Sequence, residues 1–188
     1  MTMTAMFNRS SKAITESWIT FLKVLSGKTK IKFVIAPNAP AATDGKTIWS
    51  PSLPAVLTED DLVIFKSNTL HEVGHNMHSN IPFFQAFSKE HGSFASFLLN
   101  ALDDVYMEKR QCRSTRQGEP LFRKSATILF HRKQFRDGSA SPAEAVGSYA
   151  LCFLFTHYCK WNEYRDPLAA ITENFNLHFG EYAAIVKS

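Results

Sequence analysis

The stretch that most constrains this chain is residues 69–78, T-L-H-E-V-G-H-N-M-H, which contains the pattern H-E-x-x-H. On an α-helix, His71 and His75 lie one turn apart on the same face, so both imidazoles can bind one metal ion. Glu72 is rotated by about 100° from His71, toward a water molecule held by that metal. The pattern therefore predicts a helix here and half of a zinc hydrolase site.

The sequence around this pattern predicts a long, well-capped helix. Thr58 is a suitable N-cap, and the acidic residues Glu59–Asp61 follow it in the first turn, where they complement the helix dipole. The helical pattern continues to about Asn80, and Ile81-Pro82 ends it. A second helix is predicted to begin after Gly92-Ser93, and this helix can supply the remaining ligand of the metal.

Carboxylates on this second helix are the candidates for the third ligand. Asn100, Asp104 and Glu108 follow one another at intervals of four residues and lie along one helix face. Such an arrangement allows one carboxylate to bind the metal while its neighbour orients a ligand histidine. We expect Asp104 to be the ligand and Glu108 the supporting residue. Asp103, which points about 100° away, is the alternative ligand.

Other polar residues are candidates for supporting roles. His78 lies about 10 Å along the helix axis from His71, too far to share a metal with both histidines, so it is interpreted as a pocket or supporting residue. The remaining histidines are interpreted as ordinary surface or core residues: His91, His131, His157 and His178. One of them, or Tyr106, is a candidate donor to the oxyanion, and the sequence does not choose among them.

The rest of the chain predicts an α+β fold that is mainly α, in a single domain spanning residues 1–188. A first helix is expected from Ser10-Ser11 to Gly27, followed by a strand over Lys30–Ala36. Asp44-Gly45 is typical of a turn, and Lys46–Trp49 is predicted to form a second strand that pairs with the first. Further helices are predicted at Leu121–Phe135, at Ser141–Trp161 with Ser141 as N-cap and Pro142 at the first helical position, and at Asp166–His178.

Composition restricts the location and the partners. The chain has 188 residues, a net charge of +4 and three cysteines, an odd number that argues against a disulfide framework. Cys152 and Cys159 are interpreted as buried free thiols. No signal peptide or membrane-spanning run is visible, so a reducing cytoplasm is expected and no membrane partner. The basic residues between Arg110 and Arg136 are interpreted as a solvated helical face, and no nucleic-acid partner is expected.

Several of these features together resemble a known family. Residues 43–51 match T-D-G-x-x-I-x-x-P, and residues 100–108 read N-A-L-D-D-V-Y-M-E, similar to the family pattern N-x-L-E-D-x-R-x-E. With the H-E-x-x-H helix, they resemble the metallopeptidase domain that precedes a von Willebrand factor A domain in bacterial and phage proteins, including CobT-like ones. The resemblance covers about residues 10–112, and the helical part at 119–188 lies outside it. Asp103 and Tyr106 depart from the family pattern.

The resemblance implies a zincin-like fold, with short strands beside the active-site cleft and a peptide groove along Lys46–Trp49. It also implies Zn²⁺ as cofactor, a peptide or protein substrate, and an AAA+ or von Willebrand factor A partner. If the chain is phage-encoded, the expected location is the host cytoplasm. The main hypothesis is a zinc metallopeptidase with Glu72 as general base. The alternatives are a non-catalytic, metal-binding adaptor or assembly module working with an AAA+ partner, and a zinc hydrolase acting on a non-peptide bond.

Overall fold

The computed structural model describes residues 3–180, with side chains from residue 11 onward. These residues form a mainly helical α+β fold, as the sequence predicts. Among them, no helix combines the length and the apolar character that crossing a lipid bilayer requires. The elements are α1 (Met3–Ser26), β1 (Lys32–Ala36), β2 (Ala42–Thr43), β3 (Thr47–Pro51), α2 (Glu59–His78), α3 (Ile81–Ser114), α4 (Gly118–His131), α5 (Pro142–His157), a short 3-10 helix (Asn162–Tyr164) and α6 (Arg165–Phe179).

The three strands form one mixed sheet with β3 in the middle. Strand β1 pairs with β3 in parallel, with Lys32 opposite Thr47, and β2 pairs with β3 in the antiparallel direction. The predicted pairing of the strand at Lys30–Ala36 with the strand at Lys46–Trp49 is therefore confirmed, and these strands correspond to β1 and β3. The turn at Asp44-Gly45, however, joins β3 to β2 and not to β1. Because β3 has a neighbour on each side, the groove predicted along Lys46–Trp49 does not lie at a sheet edge; the edge strands are β1 and β2.

Helix α1 starts earlier than predicted. It begins at Met3, so the Ser10-Ser11 pair lies inside the helix and is not its N-cap. The preceding residues include methionine and alanine, which favour helix, and a capping side chain contributes only about 1 kcal/mol. The helix ends before Gly27, as predicted, and Gly27 has a φ of +65°.

Contacts divide the chain into two compact units, and the first contains the residues up to Ile81 together with Arg110–Ser125. In this unit α1 packs on α2, and β2 and β3 also contact α2. A buried hydrogen bond fixes one of these contacts, because the Trp18 indole N–H donates to Thr69 Oγ1 at 2.8 Å. The buried apolar side chains of this unit are Trp18, Leu22, Ile31, Ile48, Phe65, Leu70, Val73 and Phe122.

The second unit contains Pro82–Lys109 and the residues from Ala126 onward. Gly92, with a φ of +79°, interrupts α3, and a helix follows it as predicted. Ser141 caps α5 and Pro142 occupies its first turn, which confirms that prediction. Helix α5 packs on α6. Phe155 is buried and stacks on the ring of Tyr164, with ring centroids 4.4 Å apart.

The three cysteines are free. Cys152 is buried on α5, and burial raises the pKa of its thiol to about 12. Cys159 lies beyond the end of α5 and is only partly buried. The prediction of a buried thiol is therefore correct for Cys152 and wrong for Cys159. The apolar residues continue at helical spacing to Trp161, the predicted end of the helix, so this pattern did not reveal that α5 ends at His157.

Candidate metal centre

Helix α2 carries the H-E-x-x-H residues, and local interactions determine where it begins. The Thr58 side chain accepts a hydrogen bond from the Asp61 N–H, while the Asp61 carboxylate accepts from the Thr58 N–H. This reciprocal pair is a capping box, so the predicted N-cap is confirmed. The helix continues to His78, and the N–H of Ser79 bonds back to the His75 carbonyl. His71 and His75 therefore both lie within regular helix.

The two histidine rings converge. The Nε2 atoms of His71 and His75 are 3.0 Å apart, and the rings meet edge to face. A tetrahedral zinc ion with Zn–N distances of about 2.0–2.1 Å holds two ligand nitrogens about 3.3 Å apart. The observed separation is close to that value, so the pair fits a shared metal ion.

The other ring nitrogen of His75 has a partner of its own. His75 Nδ1 lies 2.9 Å from Ser79 Oγ. When Nδ1 carries the proton and donates to this oxygen, Nε2 keeps its lone pair and can bind a metal. The H-E-x-x-H pattern does not include Ser79, which is not among the site residues predicted from the sequence. Its position four residues after His75 is the feature that could have identified it.

Glu72 is buried, with only 6% of its surface exposed. Its helix is held to strand β2 by Asn76, whose Nδ2 donates to Thr43 Oγ1 at 2.6 Å and to the Glu72 carbonyl at 3.3 Å. Glu72 thus lies in the same turn of α2 as the two metal-binding candidates His71 and His75, and it is buried.

The carboxylates of α3 differ in their surroundings. Asn100 Nδ2 donates to Asp104 Oδ2 at 3.1 Å, so these two residues share a helix face, as predicted. Glu108, one turn further on, is buried. Asp103 and Asp104 are both partly buried. Tyr106 is 49% exposed.

His71 and His75, both in the first unit, can each offer one imidazole nitrogen to a metal ion, and Asp104 of the second unit is a candidate for the third ligand. Two imidazoles and one carboxylate are a donor set that zinc binds in hydrolases and that leaves a coordination position open. Asp103 stays the alternative ligand.

His78 has a hydrogen-bond partner on α3. Its Nε2–H donates to Gln111 Oε1 at 2.9 Å, and partial burial lowers the pKa of the imidazole. Gln111 is fully buried. No sequence pattern indicates a role for this glutamine, because neither its type nor its spacing is typical of a metal site.

Tyr164 was also missed by the sequence analysis. Its side chain is buried, and burial, together with the nearby carboxylate of Glu108, raises the pKa of the phenol well above its ordinary value. Asp104 adds to the same effect. Tyr164 is far from both carboxylates in the sequence, so no local pattern connects them.

Comparison with known proteins identifies no relative: no family model, no curated protein and no solved structure matches this chain. The resemblance to the metallopeptidase domain of CobT-like proteins therefore stays a prediction.

Proposed function

We propose that this chain is a zinc-dependent peptidase of the zincin type. The observation that carries the proposal is the convergence of the His71 and His75 Nε2 atoms, 3.0 Å apart, next to the buried Glu72. An H-E-x-x-H helix with this geometry supplies two metal ligands and a general base from a single element.

Asp104 is the third ligand in this proposal, and Glu108 supports the site one turn further along α3. One hydrogen bond agrees with this ligand set, because Gln111 on α3 accepts from His78 on α2. His71 lies two turns before His78, and Asp104 lies two turns before Gln111, so the two proposed ligands occupy matching positions on their helices. Bound zinc would supply Lewis acidity, polarising a carbonyl and lowering the pKa of a water ligand from about 16 toward 7.

Glu72 acts as the general base. Its carboxylate accepts a proton from the attacking water molecule and later donates that proton to the leaving amine. Because the side chain is almost inaccessible to bulk solvent, the proton stays at the site between these two steps. Ser79 holds His75 in the tautomer that leaves Nε2 available to the metal.

A peptide substrate is supported by the position of strand β2. Among the described residues, β2 has a neighbouring strand on one side only. Its Thr43 hydroxyl accepts a hydrogen bond from Asn76, which follows His75 directly in α2. An extended peptide that adds to the free edge of β2 would run beside the helix that carries the histidines. In this proposal the substrate peptide pairs with β2, and not with Lys46–Trp49 as the family resemblance implies.

The alternative is a non-catalytic metal-binding module that assembles with an AAA+ or von Willebrand factor A partner. A fourth protein ligand, such as His78, would close the metal site and favour this module. The Nε2 atom of His78 is instead bound to Gln111 Oε1, an arrangement that favours the catalytic proposal. The free cysteines agree with a cytoplasmic location, which is part of the proposal.

The decisive experiment compares wild type with Glu72→Gln in two assays. Zinc content is measured by mass spectrometry of the native protein, and hydrolysis is followed on a mixed peptide library. We expect Glu72→Gln to retain stoichiometric zinc and to lose hydrolysis by about 10²–10⁴-fold. Glu90→Gln, which changes an exposed acid on α3, is the matched control and should retain both. A Glu72→Gln protein as active as wild type would refute the peptidase assignment.

A further inference from the structure

A basic cavity lies within the first unit, lined by the loop that follows α1 and by the turn that precedes β3. Its volume is about 390 Å³. Three of the lining residues are lysines, and the described lining contains no acidic side chain. The glycine and polar residues of the lining are Gly27, Lys28, Thr29, Lys30, Gly45 and Lys46.

The charge around this cavity is unusually one-sided. Residues 23–46 contain five lysines and one aspartate, a balance of +4, which equals the net charge of the whole chain. The one acid is Asp44. Its carboxylate accepts hydrogen bonds from the backbone N–H groups of Lys46 and Thr47, at 2.8 and 2.7 Å, and these bonds lower its pKa. Asp44 is therefore committed to the turn, and residues 23–46 contain no other acid to offset the lysines.

The cavity is also held in shape. Lys28 Nζ donates to the Asn76 carbonyl in the last turn of α2, a position at which a helix favours a cation. The N–H of Lys32 donates to the Lys46 carbonyl at 3.1 Å, which ties the two lining segments together. Gly27 and Gly45 adopt positive φ values of 65° and 89°. A Cβ atom at Gly27 would meet nothing within 4 Å, so the backbone there is open to a ligand.

The chemistry of this lining favours phosphate over carboxylate. Lysine ammonium groups bind phosphate as point charges, whereas planar carboxylates are best matched by the fork of an arginine, and no arginine lines the described cavity. The N–H groups of Gly27 and Gly45 already donate to the Val24 carbonyl and to Thr43 Oγ1, so the donors for phosphate are the lysine ammonium groups and the Thr29 hydroxyl. We propose that this cavity binds the phosphate group of a small phosphorylated ligand, with Lys28, Lys30 and Lys46 as its cationic contacts.

This site can be tested without reference to peptidase activity. The full chain, labelled with ¹⁵N, is titrated separately with inorganic phosphate, glycerol 3-phosphate and acetate at constant ionic strength, and amide shifts are followed by NMR. We expect saturable shifts of the Thr29, Lys30 and Lys46 amides with both phosphates, and none with acetate. Lys30→Gln and Lys46→Gln should each weaken phosphate binding by about three- to tenfold, while the exposed Lys89→Gln should leave it unchanged.

Three outcomes would overturn the proposal. The first is an absence of saturation at these amides. The second is equal weakening by Lys89→Gln, which would indicate only a general ionic attraction. The third is a single-stranded oligonucleotide that binds the same lysines more than about a hundredfold more tightly than glycerol 3-phosphate, which would assign the cavity to nucleic acid.

Discussion

The Nδ1 atom of His75 lies 2.9 Å from the hydroxyl oxygen of Ser79, four residues further along the chain. The Nε2 atom of the same ring faces Nε2 of His71. One imidazole thus connects the candidate metal site to the C-terminal cap of α2. His75 therefore has a hydrogen-bond partner outside the H-E-x-x-H pattern.

Loss of the Ser79 hydroxyl should weaken metal binding without unfolding the protein. We expect Ser79→Ala to lower zinc affinity by about tenfold or more, since partners of metal-bound histidines typically contribute 10–100-fold. Ser79→Thr keeps the hydroxyl and should stay close to wild type. Competition with a chromophoric chelator measures the affinity, and circular dichroism verifies the fold. Equal affinity in wild type and Ser79→Ala would show that Ser79 does not position His75.

The identity of the carboxylate ligand can be tested with two neighbouring residues. Asp104→Asn removes the charge of the proposed ligand and should lower zinc affinity by at least about a hundredfold, more than the loss of a supporting residue would. Asp103→Asn makes the same chemical change one position away and should alter affinity by less than about threefold. Zinc retained per chain after dialysis against a chelator gives the comparison. The reverse ranking would identify Asp103 as the ligand.

The pH dependence of stability should contain a contribution from His78. Burial lowers the pKa of His78 in the folded protein below its ordinary value of 6.5, although the Gln111 contact acts in the opposite direction. The unfolded chain therefore binds a proton that the folded chain resists, and stability is lost as the pH falls through and below 6.5. The free energy of unfolding of His78→Gln should lack this pH-dependent decrease. The difference in unfolding free energy between wild type and the variant should therefore shrink as the pH falls.

Urea unfolding at pH 5.5, 6.5 and 7.5, with chelator present to remove metal linkage, measures this effect. The exposed His131→Gln is the control, and its difference from wild type should not follow the His78 pattern. Parallel pH profiles for wild type and His78→Gln would contradict the prediction.

Gly147 allows α5 to approach the ring of Phe97 closely. A Cβ atom at this position would lie 2.0 Å from Phe97 Cε1, so the ring must move when alanine is introduced. An alanine normally stabilises a helix by about 0.5–1 kcal/mol relative to glycine, but overpacking costs about 1–3 kcal/mol. We expect Gly147→Ala to lower the free energy of unfolding by about 1–2 kcal/mol.

A second substitution distinguishes this clash from other effects of Gly147→Ala. Phe97→Leu removes part of the ring volume, so the double variant should lose less stability than the sum of the two single variants. Strict additivity in chemical denaturation would show that the alanine and the ring do not meet.

Much of the local structure was predictable because its causes are local. The capping box of Thr58 and Asp61, the Ser141-Pro142 helix start and the contact between Asn100 and Asp104 each involve residues within four positions of one another. Such interactions are visible as spacings. The start of α1 was mispredicted for a related reason: two serines resemble a cap, but a favourable helical sequence can continue through them.

The long-range pairings were not predictable in this way. Alternation of side chains is the same in parallel and antiparallel strands, so the sequence indicated that the strand at Thr47–Pro51 pairs with the earlier one but not its direction or its central position in the sheet. The contact between His78 and Gln111 joins residues 33 positions apart, and no spacing rule connects them.

The sequence by itself determined the helix that carries His71, Glu72 and His75, because the period of the helix places the two imidazoles on one face whatever surrounds them. Only the tertiary structure decided that the sheet is mixed and that β2 forms an edge beside α2. It also showed that Gln111 engages His78. These features depend on which distant segments meet, and that is set by the burial of apolar surface across the whole chain, not by any local pattern.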